Sequence, residues 1–243
     1  MGHICIVIVD FNTEESVKNL QTELSSNSNI DNIFVVNNSP PEKNLGFSAA
    51  ANIGIKKALK TGAEKILLLN PDIKISNNAI DKLCKFPGDI VGPVLKFERN
   101  MKIVFDYGGK VNWILGRTRH MENAERDSGQ ARMTKDVEYI SGACMMIKKE
   151  VFEKIGLFDE RFFMYFEDVD FCLRAKKAGF SVEIDPKTIV EHQISEHKFI
   201  NDNEKRNYIL RSNFLFIQKW VPWFFKATAF TYHLILTLRV KIK

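Results

Sequence analysis

Short, apolar, β-branched runs at residues 4–9, 33–36, 66–69 and 90–95 punctuate the first part of the chain. Runs of that length, bounded by polar residues, suit strands buried on both faces. Between them, residues 14–24, 47–60 and 77–86 have helical length and spacing. Strand and helix alternate, which predicts an α/β fold with a mostly parallel, twisted sheet flanked by helices. Ligands of such sheets bind beyond the carboxyl ends of the strands, here residues 10–13, 37–39 and 70–72.

The pattern then changes. Residues 108–136 are polar and basic, with Arg117, Arg119, Arg126, Arg132 and Lys135, and show no sustained period. The expectation is a long, mobile loop that covers a bound donor or touches the acceptor, with a solvated insertion as the alternative. Strands follow at 137–140 and 143–147, flanking Ser141-Gly142, then helices at 149–155 and 167–178, the second stopped by Gly179 as a left-handed cap. Residues 182–184 and 188–190 return to the sheet. From Asn203 onward the chain is helical, and Pro222 separates two helices.

That C-terminal part interleaves Trp220, Trp223, Phe224, Phe225, Phe230 and Tyr232 with Lys219, Lys226, Arg239, Lys241 and Lys243, and has no acid from Lys219 onward. Its longest uncharged stretch, 227–238, falls short of the roughly 20 residues of a membrane span. Amphipathic helices lying on an anionic membrane surface are expected, the alternative being helices packed on the main domain.

Length and composition narrow the classes. The 243 residues allow one large α/β domain with an appendage. A formal charge of +5, from 35 Lys and Arg against 30 Asp and Glu, is too mild to require nucleic acid as partner. Cys5, Cys84, Cys144 and Cys172 have neither disulfide nor zinc spacing, which suits a reducing compartment. The run at 4–9 is too short for a signal-peptide core, and Ile6 breaks the myristoylation pattern. A cytoplasmic location is expected.

Three places carry candidate chemistry. The strand at 66–69 runs into Asn70-Pro71-Asp72, which sets a carboxylate at the sheet's edge. Mg²⁺ or Mn²⁺ needs only one or two such groups besides substrate phosphates, although Asn-Pro-Asp is also ordinary turn chemistry. His192, just after the last strand, could approach that ion from the other side. The second place, Phe-Phe-Met-Tyr-Phe-Glu-Asp-Val-Asp at 162–170, sets Glu167, Asp168 and Asp170 beside four aromatic residues. Like charges and burial raise a carboxylate's pKa and make a proton acceptor. Helix capping and an Asp170–Arg174 pair are the structural alternatives. Third, Asn44-Leu45-Gly46-Phe47 opens a helix with small residues through Asn52 and Gly54. Its N-terminus could face a phosphate or sugar hydroxyl, or the small residues could serve packing.

Taken in order, four segments resemble the family 2 glycosyltransferases of GT-A fold, especially the bacterial rhamnosyltransferase-like branch of O-antigen and capsule synthesis. They are residues 6–12, 44–54, 68–72 and 141–179, and the last is highly specific. The resemblance covers roughly residues 3–215 without 108–136. It implies that Asp72 binds the metal, with Asn70 replacing the first acid of the family's D-x-D, and that His192 completes the metal site. It makes Asp168 the general base, with Glu167 beside it. Asn37 stands where relatives carry an Asp on the nucleotide base. The implied donor site takes in Asp10, Asn12, Asn37, Asn44, Gly46, Asn52, Asn70 and Asp72, and the acceptor or donor sugar meets Ser141, Gly142, Asp170 and Arg174. Tyr208 and Arg211-Ser212-Asn213 match a family segment without an assigned role.

The resemblance thus implies a catalytic domain over 1–200, with a nucleotide-sugar half at about 1–95 and an acceptor half at about 96–200, and the residue pattern adds an amphipathic tail at 201–243. The expected activity is an inverting transfer from a dTDP- or UDP-sugar, foremost dTDP-L-rhamnose, to a lipid-linked glycan at the inner face of the plasma membrane, with Mg²⁺ or Mn²⁺. Sugar nucleotidyltransferases are disfavoured because 4–15 lacks their Gly-rich loop, and processive synthases because Gln218-Lys219-Trp220 only superficially resembles their motif. A binding protein that has lost catalysis is the non-enzymatic alternative, motivated by Asn37 and Asn70.

Overall fold

A computed structural model describes residues 3–39, 44–123, 137–193 and 202–241. In chain order the elements are β1 (Ile4–Asp10), α1 (Glu14–Leu24), β2 (Ile30–Asn37), α2 (Phe47–Lys60), β3 (Lys65–Leu69), β4 (Ile73–Lys74), α3 (Asn77–Lys85) and β5 (Ile90–Arg99). There follow β6 (Lys102–Asn112), β7 (Arg117–Asn123), β8 (Cys144–Lys148), α4 (Lys149–Ile155), α5 (Glu167–Lys177), β9 (Val182–His192), α6 (Asp202–Trp220) and α7 (Trp223–Lys241).

One mixed sheet holds the described strands in the order β2-β1-β3-β8-β5-β6-β7, with β9 paired to β5 and β4. The β2-β1-β3 ladders and β5-β9 are parallel. β1 is buried along its whole length. Because side chains alternate, Cys5, Val7 and Val9 enter the core beneath α2 while Ile4, Ile6 and Ile8 enter the one beneath α1 and α3. Each such side chain contributes about 1.5–3 kcal/mol by leaving water. The small residues of α2 serve this contact: a Cβ on Gly54 would stand 2.4 Å from Val7 Cγ1.

Four expectations are corrected. Residues 108–123 are not loop: β6 and β7 form an antiparallel hairpin, and 124–136 lie outside the described residues. β7 reads Arg-Thr-Arg-His-Met-Glu-Asn, an edge strand whose polar residues leave no alternating apolar signal and discourage further pairing. Residues 137–140 are not a strand; Tyr139 makes an isolated bridge to Gly109. Residues 182–192 form one strand, not two, bent where the register slips between Pro93 and Val94. Finally, α7 is not two-faced: Leu234, Ile235 and Leu238 are exposed beside Trp223 and Phe224, so its apolar surface extends well beyond the side facing α6.

α6 places Phe216 and Ile217 in the same core as α2 and α5, and Pro222 breaks the helix before α7. Among the described residues no helix is long and apolar enough to cross a membrane.

Candidate active site

The acidic segment is presented by a sharp, strained turn. Tyr165 and Phe166 both adopt left-handed backbone, φ 68° and 67°, at about 1–3 kcal/mol each for residues with a Cβ. The flanking structure holds them there. Ser48 Oγ donates to the Phe162 carbonyl at 2.6 Å, and Phe47 N–H to that of Phe163 at 2.7 Å. From the other side Ser212 Oγ donates to the Met164 carbonyl at 2.7 Å, and Tyr208 stacks on Phe163 at 4.8 Å. Tyr208 and Ser212, left without a role by sequence, thus brace the turn, while Asn213 Nδ2 donates to the Gly116 carbonyl at the tip of the β6–β7 hairpin.

The turn delivers Glu167 and Asp168 as the first residues of α5. Asp168 Oδ2 accepts the Gly142 N–H at 3.1 Å, and Oδ1 accepts that of Val169 at 2.8 Å. Burial raises the Asp168 pKa, and these two hydrogen bonds with the charge of His120 offset it only in part. Glu167 is pushed well above the usual carboxylate range by burial and by Asp168. Its Oε2 is buried without a hydrogen-bond partner. The result is a carboxylate fixed by two backbone donors and more basic than an exposed one.

Asp72 and His192 are brought together across the β4–β9 edge, Nε2 lying 3.2 Å from Asp72 Oδ2. Asp72 Oδ1 is buried and has no partner. An orphaned carboxylate oxygen beside an imidazole fits a hard divalent cation that completes its shell with phosphate oxygens and water. The Asn70 N–H donates to the Ala143 carbonyl at 2.8 Å, so this edge is joined to the Ser141–Ala143 turn whose Gly142 holds Asp168. Ser141 Oγ accepts the Ala143 N–H within that turn.

At the carboxyl ends of β1 and β2, Asp10 and Asn37 are register partners. Asp10 Oδ1 accepts from Thr13, Asn37 Oδ1 from the Ser39 N–H, and the left-handed Asn12 donates its N–H to Ser39 Oγ. Asn44 Oδ1 accepts the Gly46 N–H, and Asn38 bridges to Asn44 and Leu45.

Other expected contacts are turned inward. The N-terminus of α2 packs against protein: a Cβ on Gly46 would lie 2.5 Å from the Phe163 carbonyl oxygen. Asn52 is buried and spends its amide on Phe158 and Glu160. Asp170 is 0% exposed and bonded by Arg174, Lys219 and Trp220, and Arg174 also donates to the Ile155 and Leu157 carbonyls. The resemblance places Gly46, Asn52, Asp170 and Arg174 at the site; their polar atoms and close contacts are taken by protein partners.

One group was missed. His120 of β7 holds Asp106 of β6, Nδ1 to Oδ2 at 2.8 Å, and meets Tyr139 edge-on at 5.4 Å. The pairing depends on a strand register that a featureless polar segment does not announce. The only signal was a histidine in an otherwise cationic stretch.

The mixed, helix-flanked sheet is a glycosyltransferase fold of the GT-A class, shared with solved glycosyltransferases. Within that class the chain belongs to the family described as glycosyltransferase like family 2, which matches residues 1–208. It is 28% identical over 204 residues to the low-salt glycan biosynthesis hexosyltransferase Agl10 of Haloferax volcanii, covering 75% of this chain and 64% of that one. It is 32% identical over 190 residues to the dTDP-rhamnosyl transferase RfbF of Shigella flexneri, covering 73% and 61%. The chain therefore spans less than two thirds of both relatives. The mannosyltransferase PcManGT of Pyrobaculum calidifontis, solved with GDP-Man and Mn²⁺, superposes with a TM-score of 0.55 at 12% identity, over 98% of this chain and 71% of that one.

Proposed function

We infer that the chain is an inverting glycosyltransferase that moves L-rhamnose from dTDP-L-rhamnose to a lipid-linked glycan of a cell-surface polysaccharide. The observation that carries this reading is the Asp168 carboxylate, clamped by Gly142 and Val169 and raised in basicity by burial, on a turn joined to the Asp72–His192 edge. The acceptor hydroxyl gives its proton to Asp168 as its oxygen attacks the anomeric carbon. The bond from that carbon to the diphosphate breaks, its electron pair leaves with the diphosphate, and configuration inverts. Asp72 and His192 would hold Mg²⁺ or Mn²⁺, which supplies charge neutralisation of the leaving diphosphate when bound. Asp10, Asn12, Asn37 and Asn44 line the nucleotide side, and the amide of Asn37 offers the base both a donor and an acceptor.

The rhamnosyl donor is supported by the RfbF likeness. A lipid-linked acceptor, and contact with a membrane surface, are supported by the exposed aromatic and aliphatic residues of α7 together with Lys226 and Arg239. The test is turnover of a panel of dTDP-, UDP- and GDP-sugars by the purified full chain with Mn²⁺ or Mg²⁺. The expected donor is dTDP-L-rhamnose, and Asp168→Asn should abolish turnover while still binding it. Near-normal turnover by that variant removes Asp168 as base. Binding without turnover across the panel, with each metal, favours the non-catalytic alternative.

A further inference from the structure

The geometry points to the Asp106–His120 pair as the acceptor-side wall of this site: His120, held by Asp106 and set beside Asp168, donates from Nε2 to a hydroxyl of the acceptor sugar and holds that sugar against the base. This rests on Asp168 being the base. Asp106 is buried, its Oδ1 accepts the Gly108 N–H at 2.9 Å, and its Oδ2 engages His120 Nδ1. Both oxygens are spent on orienting the imidazole, and among the described residues no hydrogen-bond partner faces Nε2.

The ring's direction follows from register. His120 pairs with Gly109 across β6 and β7, and Gly109 bridges Tyr139. A Cβ on Gly109 would lie 2.2 Å from Tyr139 Cζ, so only glycine lets that ring lie against the hairpin under His120. Three residues further along, Gly142 donates to Asp168. The sheet order separates the two substrates: the nucleotide rim lies on β2-β1-β3, and His120 at the other end on β7.

The charges agree with this placement. The carboxylates whose charge acts on His120 are Asp106 from β6, Asp168 from α5 and Glu122 from its own strand, the last also paired with Arg99 at 2.7 Å, while the Tyr139 ring packs against the imidazole. Burial alone would depress the imidazole, but the hydrogen bond and charge of Asp106, with those of Asp168 and Glu122, hold its pKa above the ordinary value. His120 in turn favours the ionised form of Asp168.

Two measurements on the full chain test this. The His120 titration midpoint, followed by imidazole NMR, should fall in Asp168→Asn, provided that variant keeps its melting temperature. Separately, His120→Ala and His120→Asn should lose about ten- to a hundredfold in transfer to octyl β-glycosides of glucose, galactose or N-acetylglucosamine, using the best acceptor of the three. That is the worth of one hydrogen bond from a charged donor. Donor hydrolysis onto water also uses Asp168, whose charge His120 favours, so it should fall too, but the ratio of transfer to hydrolysis should drop by about tenfold or more. An unmoved midpoint overturns the pairing with Asp168, and equal loss in transfer and hydrolysis overturns the acceptor role. Failure of the base assignment shows differently: Asp168→Asn would keep turning over while the NMR comparison still reads the His120–Asp168 contact.

Discussion

The buried carboxylate of Asp170, in the first turn of the acidic helix α5, accepts the indole N–H of Trp220, the last residue of α6, at 2.7 Å. Lys219 Nζ lies 2.6 Å from the same oxygen, and Arg174 Nε 2.9 Å from the other. The end of α6 is therefore fastened two residues from Asp168. Trp220→Phe keeps an aromatic ring but removes one donor from a buried charge, which costs about 1.5–3 kcal/mol. Urea unfolding should show a loss of that size. A variant as stable as the parent would mean that Lys219 and Arg174 suffice.

Glu167 should make the protein less stable as pH rises. Its folded pKa is raised by burial and by Asp168, so the folded chain binds more protons than the unfolded one between the ordinary carboxylate value and the raised value. Stability is full below that window and is lost through it. Glu167→Gln, neutral at every pH, should melt higher than the parent near pH 8 and converge with it near about pH 4. A melting difference independent of pH would mean that Glu167 does not titrate in this way.

The metal edge predicts a split between its two residues. Asp72 offers an orphaned anionic oxygen, His192 a neutral ligand. Asp72→Asn should reduce turnover by about a hundredfold or more at any Mn²⁺ concentration, while His192→Ala should raise the Mn²⁺ needed for half-maximal rate by about tenfold and recover with excess metal. Manganese titration of turnover separates these outcomes. If both variants respond alike, the pair does not divide the work in this way.

What could be seen in the sequence follows from where each signal is stored. β1, α1, α2 and the two C-terminal helices are legible because both faces of β1 are buried and because Pro222 stops a helix locally. Asp72, His192, Glu167 and Asp168 are legible as chemical types at turns. The burial and protein partners of Asn52 and Asp170 are not legible, because an amide or carboxylate inside a frame carries the same letter as one facing solvent. His120 was invisible because its meaning lies in pairing with Gly109 and Asp106, contacts that exist only once the β6–β7 register is known.

The exposed residues of α7 make the final test. Trp223 is 83% exposed and Phe224 is also open to solvent, with Lys226 one turn further on. Two aromatic side chains leaving water contribute about 1.5–3 kcal/mol each, more than tenfold in partitioning apiece. Trp223→Ala with Phe224→Ala should therefore reduce co-flotation with anionic phosphatidylglycerol vesicles by about a hundredfold, leaving hydrolysis of the soluble donor unchanged. Electrostatic attraction through Lys226 and Arg239 should weaken at about 1 M salt, where screening lengths fall to about 3 Å, while the aromatic contribution persists. Equal flotation by the double variant and the parent would mean that the tail is not the membrane contact, and the lipid-linked acceptor would then have to reach Asp168 without help from α7.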